Sequence, residues 1–343
     1  MKKLMNAAES IVDDMIDGYV SAFEQVARGH QDPRIVVRAK GRKDPDRKVT
    51  LLIGNGSGHE PIAMGFVGAG LLDANVVGDV FAAPSADLIL DGIREVSGKA
   101  GCILLISQHS GDMINGRAAV MLAEEERLRV RALPMYDDIS SAPRDRMQDR
   151  RGAPGTMFVY KILGAAAEAG MPLDDLMTLG RAVRARTVTL AAALSPGISP
   201  LTGQPMFDLP DDEIYLGMGV HGEPGIGRTG VGPVRDLVTL IVDKLLGDYP
   251  IASGGQAAVI VNGMGGTTLM ELLTVWNETR HALAARGIAA VAPMIGSFVT
   301  TQEMGGFSIS LLEPAGDMLR LWTAPSDTPF FPSIRHAEKE KSQ

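Results

Sequence analysis

Residues 102–135, CILLISQHSGDMINGRAAVMLAEEERLRVRALPM, carry the pattern that decides the fold. An unbroken apolar run over 102–106 has the length and aliphatic content of a strand, 113–126 has the spacing of a helix, and 130–135 is strand-like again. Working outward, the same alternation predicts a strand over 75–80 and a helix over 84–96 upstream, and helices over 154–169 and 172–186 downstream. A proline-punctuated segment, 194–212, follows and ends in Asp211 and Asp212. Beyond it the alternation resumes, with strands expected over 257–261, 288–293, 307–312 and about 319–322, and a helix over 267–286. Alternating strands and helices of this kind specify an α/β fold.

The chain has 343 residues, 45% of them hydrophobic and 22% charged, a globular composition whose length divides into about two domains. We expect an N-terminal α/β domain over 1–190, a C-terminal α/β domain over 191–334 and a disordered polar tail over 335–343. A net charge of -8, with Lys and Arg scattered along the chain, argues against a nucleic-acid surface. With no signal-peptide pattern and no membrane-spanning apolar run, the reading is a cytoplasmic protein that does not engage the membrane. The single cysteine, Cys102, sits inside an apolar strand and reads as a buried, inert thiol.

Two of the six histidines lie in glycine-dense segments that each follow a strand-like stretch. His59 closes Gly54-Asn55-Gly56-Ser57-Gly58-His59-Glu60-Pro61, after 48–53, and His221 lies in Gly217-Met218-Gly219-Val220-His221-Gly222-Glu223-Pro224-Gly225, after 213–216. Glycine there lets backbone amides approach a small polar ligand, and the imidazoles supply the chemistry. The two loops are expected to meet at one site. A third element, Ser107-Gln108-His109-Ser110-Gly111-Asp112, runs from a strand end into a helix, where open α/β sheets bind ligands. Asp112 is a general-base candidate there, and otherwise the N-cap of the helix that follows.

Nucleotide and metal signatures fail. Two matches to Gly-x-Gly-x-x-Gly, beginning at Gly217 and Gly225, run into Pro224 and Pro233 where a Rossmann helix must start, and no P-loop motif exists. Glycines 263, 265 and 266 read as a tight strand-to-helix turn, with anion binding at the helix start as the other possibility. His59-Glu60 and His221-x-Glu223 lack the helical spacing of a zinc motif, so no metal is expected on this chain.

Taken together, these segments resemble the substrate-binding K subunit of dihydroxyacetone kinases. The resemblance rests on His30-Gln31-Asp32-Pro33, Gly56-Ser57-Gly58-His59-Glu60-Pro61, Gly111-Asp112, Arg150-Arg151-Gly152, Gly164-Ala165-Ala166-Ala167-Glu168, the His221 loop and Gly306-Phe307-Ser308-Ile309-Ser310-Leu311-Leu312, and runs from Met1 to about Pro325. It implies a homodimer of two-domain α/β subunits that binds a short-chain ketose. The ketose is presented to a separate helical nucleotide-binding subunit, the L-type subunit, which carries ATP or ADP with Mg2+. This chain binds no cofactor of its own, and the ultimate donor is ATP or a phosphotransferase-system protein.

The resemblance also implies residue roles. His221 forms a covalent hemiaminal with the ketone carbon, His59 hydrogen-bonds the reacting end or shuttles a proton, and Asp112 accepts the proton of the hydroxyl that attacks the phosphoryl group. Gly56, Ser57 and Gly58 supply close backbone contact, while Glu60 and Glu223 bond the loops or orient the imidazoles. Members specific for dihydroxyacetone usually read Lys-Asn-Tyr-Thr-Gly-Asp where this chain has Ser107-Gln108-His109-Ser110-Gly111-Asp112, and they carry a substrate-contacting serine where it has Ala83. The lost lysine and serine, with Gln108 and His109 as replacement donors, imply a longer ketose such as erythrulose. Two alternatives stand: a ketose sensor or coactivator that binds a transcription regulator, and a lyase or isomerase using the same adduct.

Overall fold

The computed structural model describes residues 2–331, so the tail expected over 335–343 lies outside the described residues. Two six-stranded sheets organise the chain. The first holds β1 (Val26–Arg28), β2 (Ile35–Arg38), β3 (Thr50–Ser57), β4 (Ala74–Val80), β5 (Cys102–Ile106) and β6 (Val130–Pro134), in the order β1-β2-β4-β3-β5-β6. Strands β4, β3, β5 and β6 are parallel, whereas β1 and β2 add an antiparallel edge. Side chains alternate across this sheet as strand geometry requires. Leu52 and Leu104 pack toward α2 (Ala86–Val96) and α3 (Ser110–Glu125). Leu51, Ile53, Ile103 and Leu105 face α4 (Thr156–Glu168) and α5 (Leu173–Ala185). An amphipathic helix, α1 (Ile11–Ala22), joins the same core through Val12, Ile16 and Tyr19.

The second sheet holds β7 (Thr187–Ser195), β8 (Glu213–Leu216), β9 (Gly227–Gly230), β10 (Gln256–Gly263), β11 (Ala289–Gly296) and β12 (Gly305–Leu312), in the order β11-β10-β12-β7-β8-β9. Only β10 and β11 run parallel. One face buries Val259, Val261, Ile309 and Leu311 against α6 (Val234–Asp248) and α7 (Leu269–Ala284). The other contributes Ala258, Ile260 and Leu312 to the core that α4 shares with the first sheet. Helix α4 is therefore buried along nearly its whole length. Among the described residues no helix is long and apolar enough to cross a membrane.

Two expectations differ from the structure, and one helix was missed. The division at 190/191 cuts β7, whose alternating Val188, Leu190 and Ala192 already belong to the second sheet's core. The strand expected near 319–322 is a short helix, α8 (Met318–Trp322), that returns to the first half, where the Trp322 and Phe158 rings stand 4.6 Å apart. A short apolar run does not separate strand from helix by periodicity. Helix α6 was not foreseen, although Val238, Ile241, Val242 and Leu245 carry its spacing. The dinucleotide-like glycines span the antiparallel β8–β9 hairpin, a geometry with no Rossmann crossover. At the glycine turn before α7, Thr268 and Glu271 form a capping box that satisfies the helix start internally.

Gly164 shows how tightly the shared core is packed. A Cβ on it would lie 2.5 Å from Leu71 Cα and 2.6 Å from the Gly70 carbonyl oxygen. Overpacking of this kind costs about 1–3 kcal/mol, against at most about 1 kcal/mol gained in helix propensity. We therefore predict that Gly164→Ala lowers stability in urea unfolding; a variant as stable as the parent contradicts this packing.

Candidate active site

In the order β4-β3-β5-β6, the chain leaves β3 toward β4 and then crosses to β5 on the other flank, which puts the switch point between β3 and β5. The loops after these two strands diverge there, and they carry His59 and the 107–112 segment. The β8–β9 loop of the second sheet brings His221 to the same place. Together they border a cavity of about 630 Å³. Two lining residues, Phe81 (φ 58°) and Gln108 (φ 57°), hold left-handed backbone without being glycine, a strain that clusters at functional sites.

His59 is fixed from both sides. Its Nδ1–H donates to the Thr300 carbonyl at 2.8 Å, and Thr300 N–H donates back to the His59 carbonyl at 3.1 Å. The 298–300 turn is itself clamped by Asn262 of β10, whose Oδ1 accepts from Phe298 N and Val299 N, each at 2.9 Å. On the opposite ring edge, His59 Nε2 lies 2.9 Å from His221 Nε2. His221 Nδ1 meets Glu223 Oε1 at 2.9 Å, and the same carboxylate accepts the His221 backbone N–H at 2.9 Å. Gly219 permits this turn, since a Cβ there would fall 2.2 Å from Glu223 Oε2. Arg151 holds the loop from below, donating to Gly217 O at 3.3 Å and to Asp138 at 2.7 Å.

The protons follow from the acceptors. A carbonyl and a carboxylate accept only, so both Nδ1 atoms carry hydrogen, and the short Nε2–Nε2 contact holds one further proton. Burial, reinforced by the neighbouring charge of His221, pushes the His59 imidazole down to about 3, so His59 is the accepting side of that contact. Burial pushes the Glu223 carboxyl up, but its hydrogen bond with His221 and the charge there outweigh this and hold it well below the usual carboxylate range. The result is a histidine–carboxylate pair at the cavity wall whose Nε2 meets His59.

Helix α3 begins at Ser110, not 113, and His109 occupies its N-cap position. Asp112 is thus a first-turn residue and not the cap. Its carboxylate takes no hydrogen bond from the described residues and lines the cavity, with His109 Nδ1 3.7 Å away. His109 Nε2 in turn stands 3.8 Å from Glu223 Oε1, so His109 bridges the two carboxylates. Donor atoms of His109, His221 and Glu223 lie within 4.8 Å of one another, a combination capable of ligating a metal that local spacing conceals. Opposing a further cation are the engagement of Glu223 Oε1 by His221 and the Arg151 guanidinium 3.9 Å from Oε2.

Of the other expected contacts, Gly56, Ala83, Ser107, Gln108 and His109 line the cavity. Gln108 Nε2 is turned to the Gln148 carbonyl. Gly56 matters because the Ala82 backbone lies 2.8 Å from where its Cβ would stand. Ser57 and Gly58 do not line this cavity. The Ser57 hydroxyl donates to Gly78 O at 3.0 Å, and Gly58, at φ 97°, accommodates the Phe81 ring 2.5 Å from its missing Cβ. Both border a second hollow beside Lys3, Leu4 and Met5. Glu60 bonds its own loop through Gly58 N–H at 3.0 Å. Sequence reasoning missed Arg151 and Tyr160 as lining residues; the first lay in a noted Arg-Arg-Gly motif, and nothing distinguished the second within an apolar helix.

The Dak1 domain model matches residues 17–330. This chain belongs to the Dak1 family. It is 38% identical over 332 residues to the dihydroxyacetone-binding subunit of a PTS-dependent dihydroxyacetone kinase of Listeria innocua, covering 96% of this chain and 99% of that one. It is 36% identical over 331 residues to a D-erythrulose kinase of Mycolicibacterium smegmatis, covering 96% of this chain and 56% of the longer protein. Among solved structures, a dihydroxyacetone kinase operon co-activator superposes with a TM-score of 0.86 at 29% identity, covering 92% of this chain and 97% of that one. The match to a Dak1 model and to K-subunit relatives agrees with the resemblance read from the motifs.

The depressed proton affinity of His59 makes a stability prediction. In the unfolded chain His59 binds a proton below its ordinary value of 6.5, whereas the folded site refuses it until about pH 3. Stability must therefore fall as pH drops through that window, with a slope approaching about 1.4 kcal/mol per pH unit from this residue. In urea titrations His59→Gln should show a shallower acid decline; an unchanged slope would mean that His59 titrates normally in the folded protein.

Proposed function

We propose that this chain is the ketose-binding subunit of a dihydroxyacetone-type kinase, a phosphotransferase with an alcohol acceptor. It holds dihydroxyacetone or a tetrulose such as erythrulose as a hemiaminal on His221 while a separate nucleotide-binding subunit phosphorylates a terminal hydroxyl. The observation that carries this reading is the nitrogen-to-nitrogen contact of His59 and His221, backed by Glu223 and opening onto the Asp112 cavity.

The chemistry balances on these residues. His59 Nε2 takes the proton from His221 Nε2, and the freed lone pair forms a bond to the ketone carbon while the C=O π pair moves to oxygen. His59, a strong acid once protonated in its buried setting, returns the proton to that oxygen to give the hemiaminal hydroxyl. The positive charge brought by the proton shared between the two imidazoles ends on the alkylated ring, and Glu223 balances it through Nδ1–H. Asp112 then accepts the proton of the terminal hydroxyl whose oxygen attacks the phosphoryl group. A polyol such as glycerol has no carbonyl to trap and is rejected.

Substrate length is supported by Ala83 and Ser107 at positions where dihydroxyacetone-specific members carry further donors, and by the likeness to a D-erythrulose kinase. The partner is read as a helical L-type subunit holding ATP or ADP with Mg2+. The Listeria relative supports a phosphotransferase-system protein as an alternative phosphodonor. We read the active form as a cytoplasmic homodimer. A second reading, a non-catalytic ketose sensor acting on a transcription regulator, draws on the likeness to the operon co-activator. Asp112, buried and facing the cavity without a hydrogen-bond partner among the described residues, favours the kinase.

A coupled assay with the nucleotide-binding partner, Mg2+ and ATP or a phosphotransferase-system donor tests the two readings. We expect ketose-dependent turnover that His221→Ala abolishes. Asp112→Asn should lower kcat by about 10²–10⁴-fold while ketose binding persists. Binding without turnover by either donor would overturn the kinase reading in favour of the sensor.

A further inference from the structure

We infer that the deep wall of the cavity is a hydroxyl-binding subsite headed by the Tyr160 phenol, which takes the secondary hydroxyl that a four-carbon ketose has and a three-carbon ketose lacks. This rests on the ketose reading of the same cavity and adds what selects among ketoses.

Tyr160 lies in the middle of α4 and is fully buried, yet its hydroxyl has no hydrogen-bond partner among the described residues. A buried orphan hydroxyl in a native core calls for an explanation. Its position supplies one, because Tyr160 lines the same cavity as His221 and Asp112. Thr156, one turn earlier on α4, and Ser107, at the end of β5, line that cavity too. Their hydroxyls are near enough to act on the phenol, but neither reaches hydrogen-bonding geometry with it. Burial, with the nearby charges of Asp137 and Asp112 adding to it, pushes the phenol further from ionisation. The subsite is therefore a neutral donor and acceptor beside carboxylates, suited to an alcohol and hostile to a phosphate or carboxylate ligand.

A ketose pinned at its carbonyl by His221 and at its terminal hydroxyl by Asp112 has one remaining degree of choice, the side on which its secondary hydroxyl projects. A third fixed contact at Tyr160 turns the site into a three-point recogniser. It should prefer one erythrulose enantiomer over the other and over dihydroxyacetone. The cavity of about 630 Å³ leaves room for the fourth carbon.

The test is calorimetric binding of dihydroxyacetone, D-erythrulose and L-erythrulose to the full chain and to Tyr160→Phe, with turnover and thermal unfolding measured in parallel. We expect the parent to bind one erythrulose enantiomer about tenfold more tightly than the other, the size of one neutral hydrogen bond. Tyr160→Phe should erase that preference, weaken the favoured erythrulose more than dihydroxyacetone, and unfold no earlier, since the hydroxyl it loses bonds nothing in the described fold. Equal weakening of all three ketoses, or an enantiomer ratio that survives the substitution, overturns the subsite. Failure of turnover with the binding preference intact would instead count against the kinase reading alone.

Discussion

Two imidazoles meet nitrogen to nitrogen at 2.9 Å between the sheets, and much of the architecture serves to keep them there. An unrestrained pair of histidines in this arrangement would turn away from each other or take up a proton and repel. Here each ring is held by an acceptor on its far edge, the Thr300 carbonyl for His59 and the Glu223 carboxylate for His221. The first acceptor belongs to the second sheet and holds a histidine of the first, so loop position and sheet packing are one constraint.

That constraint requires the two sheets to be locked to each other. The core around α4 does most of this, mixing side chains of both sheets in one packed volume. Polar clamps add direction. Asp137 accepts from Ala153 N–H at 2.7 Å and Gly155 N–H at 2.9 Å ahead of α4, and also from Thr189 of β7, so one buried carboxylate ties the segment before α4 to the second sheet. Burial pushes its carboxyl up to about 6 even though its three donors pull the other way. Arg150, wholly buried, reaches across to Asp248 at the end of α6 at 3.0 Å. Neighbouring Arg151 points instead to the His221 loop, so the Arg-Arg pair spends one side chain on the scaffold and one on the site.

Much of this was legible in the sequence, and the failures have physical causes. The parallel strands β5 and β6 are aliphatic runs bounded by turns, and the helix between them has its own period; both signals are local. The loops bearing His59 and His221 stood out because glycine is needed where backbones approach closely. Ser57 and Gly58 were drawn into the site by proximity in sequence, but the Ser57 hydroxyl turns to the Gly78 carbonyl and Gly58 packs under the Phe81 ring, both beside the second hollow. The short helix α8 was misread because five residues, four of them apolar, are too few to carry a period. Tyr160 and the His109–Glu223 approach were invisible, since both depend on which elements pack together. Tyr160 sits in a helix buried on every side, where one polar atom leaves no periodic trace.

The central claim is that His221 Nε2 is the nucleophile and that Glu223 and His59 hold it ready. A crystal structure of the protein soaked with ketose tests this most directly. The account predicts continuous density between His221 Nε2 and a tetrahedral ketose carbon, with Nδ1 still bonded to Glu223 and His59 Nε2 moved onto the new hydroxyl. A planar ketone resting in the cavity at van der Waals distance from both imidazoles, or an adduct on His59, would contradict it.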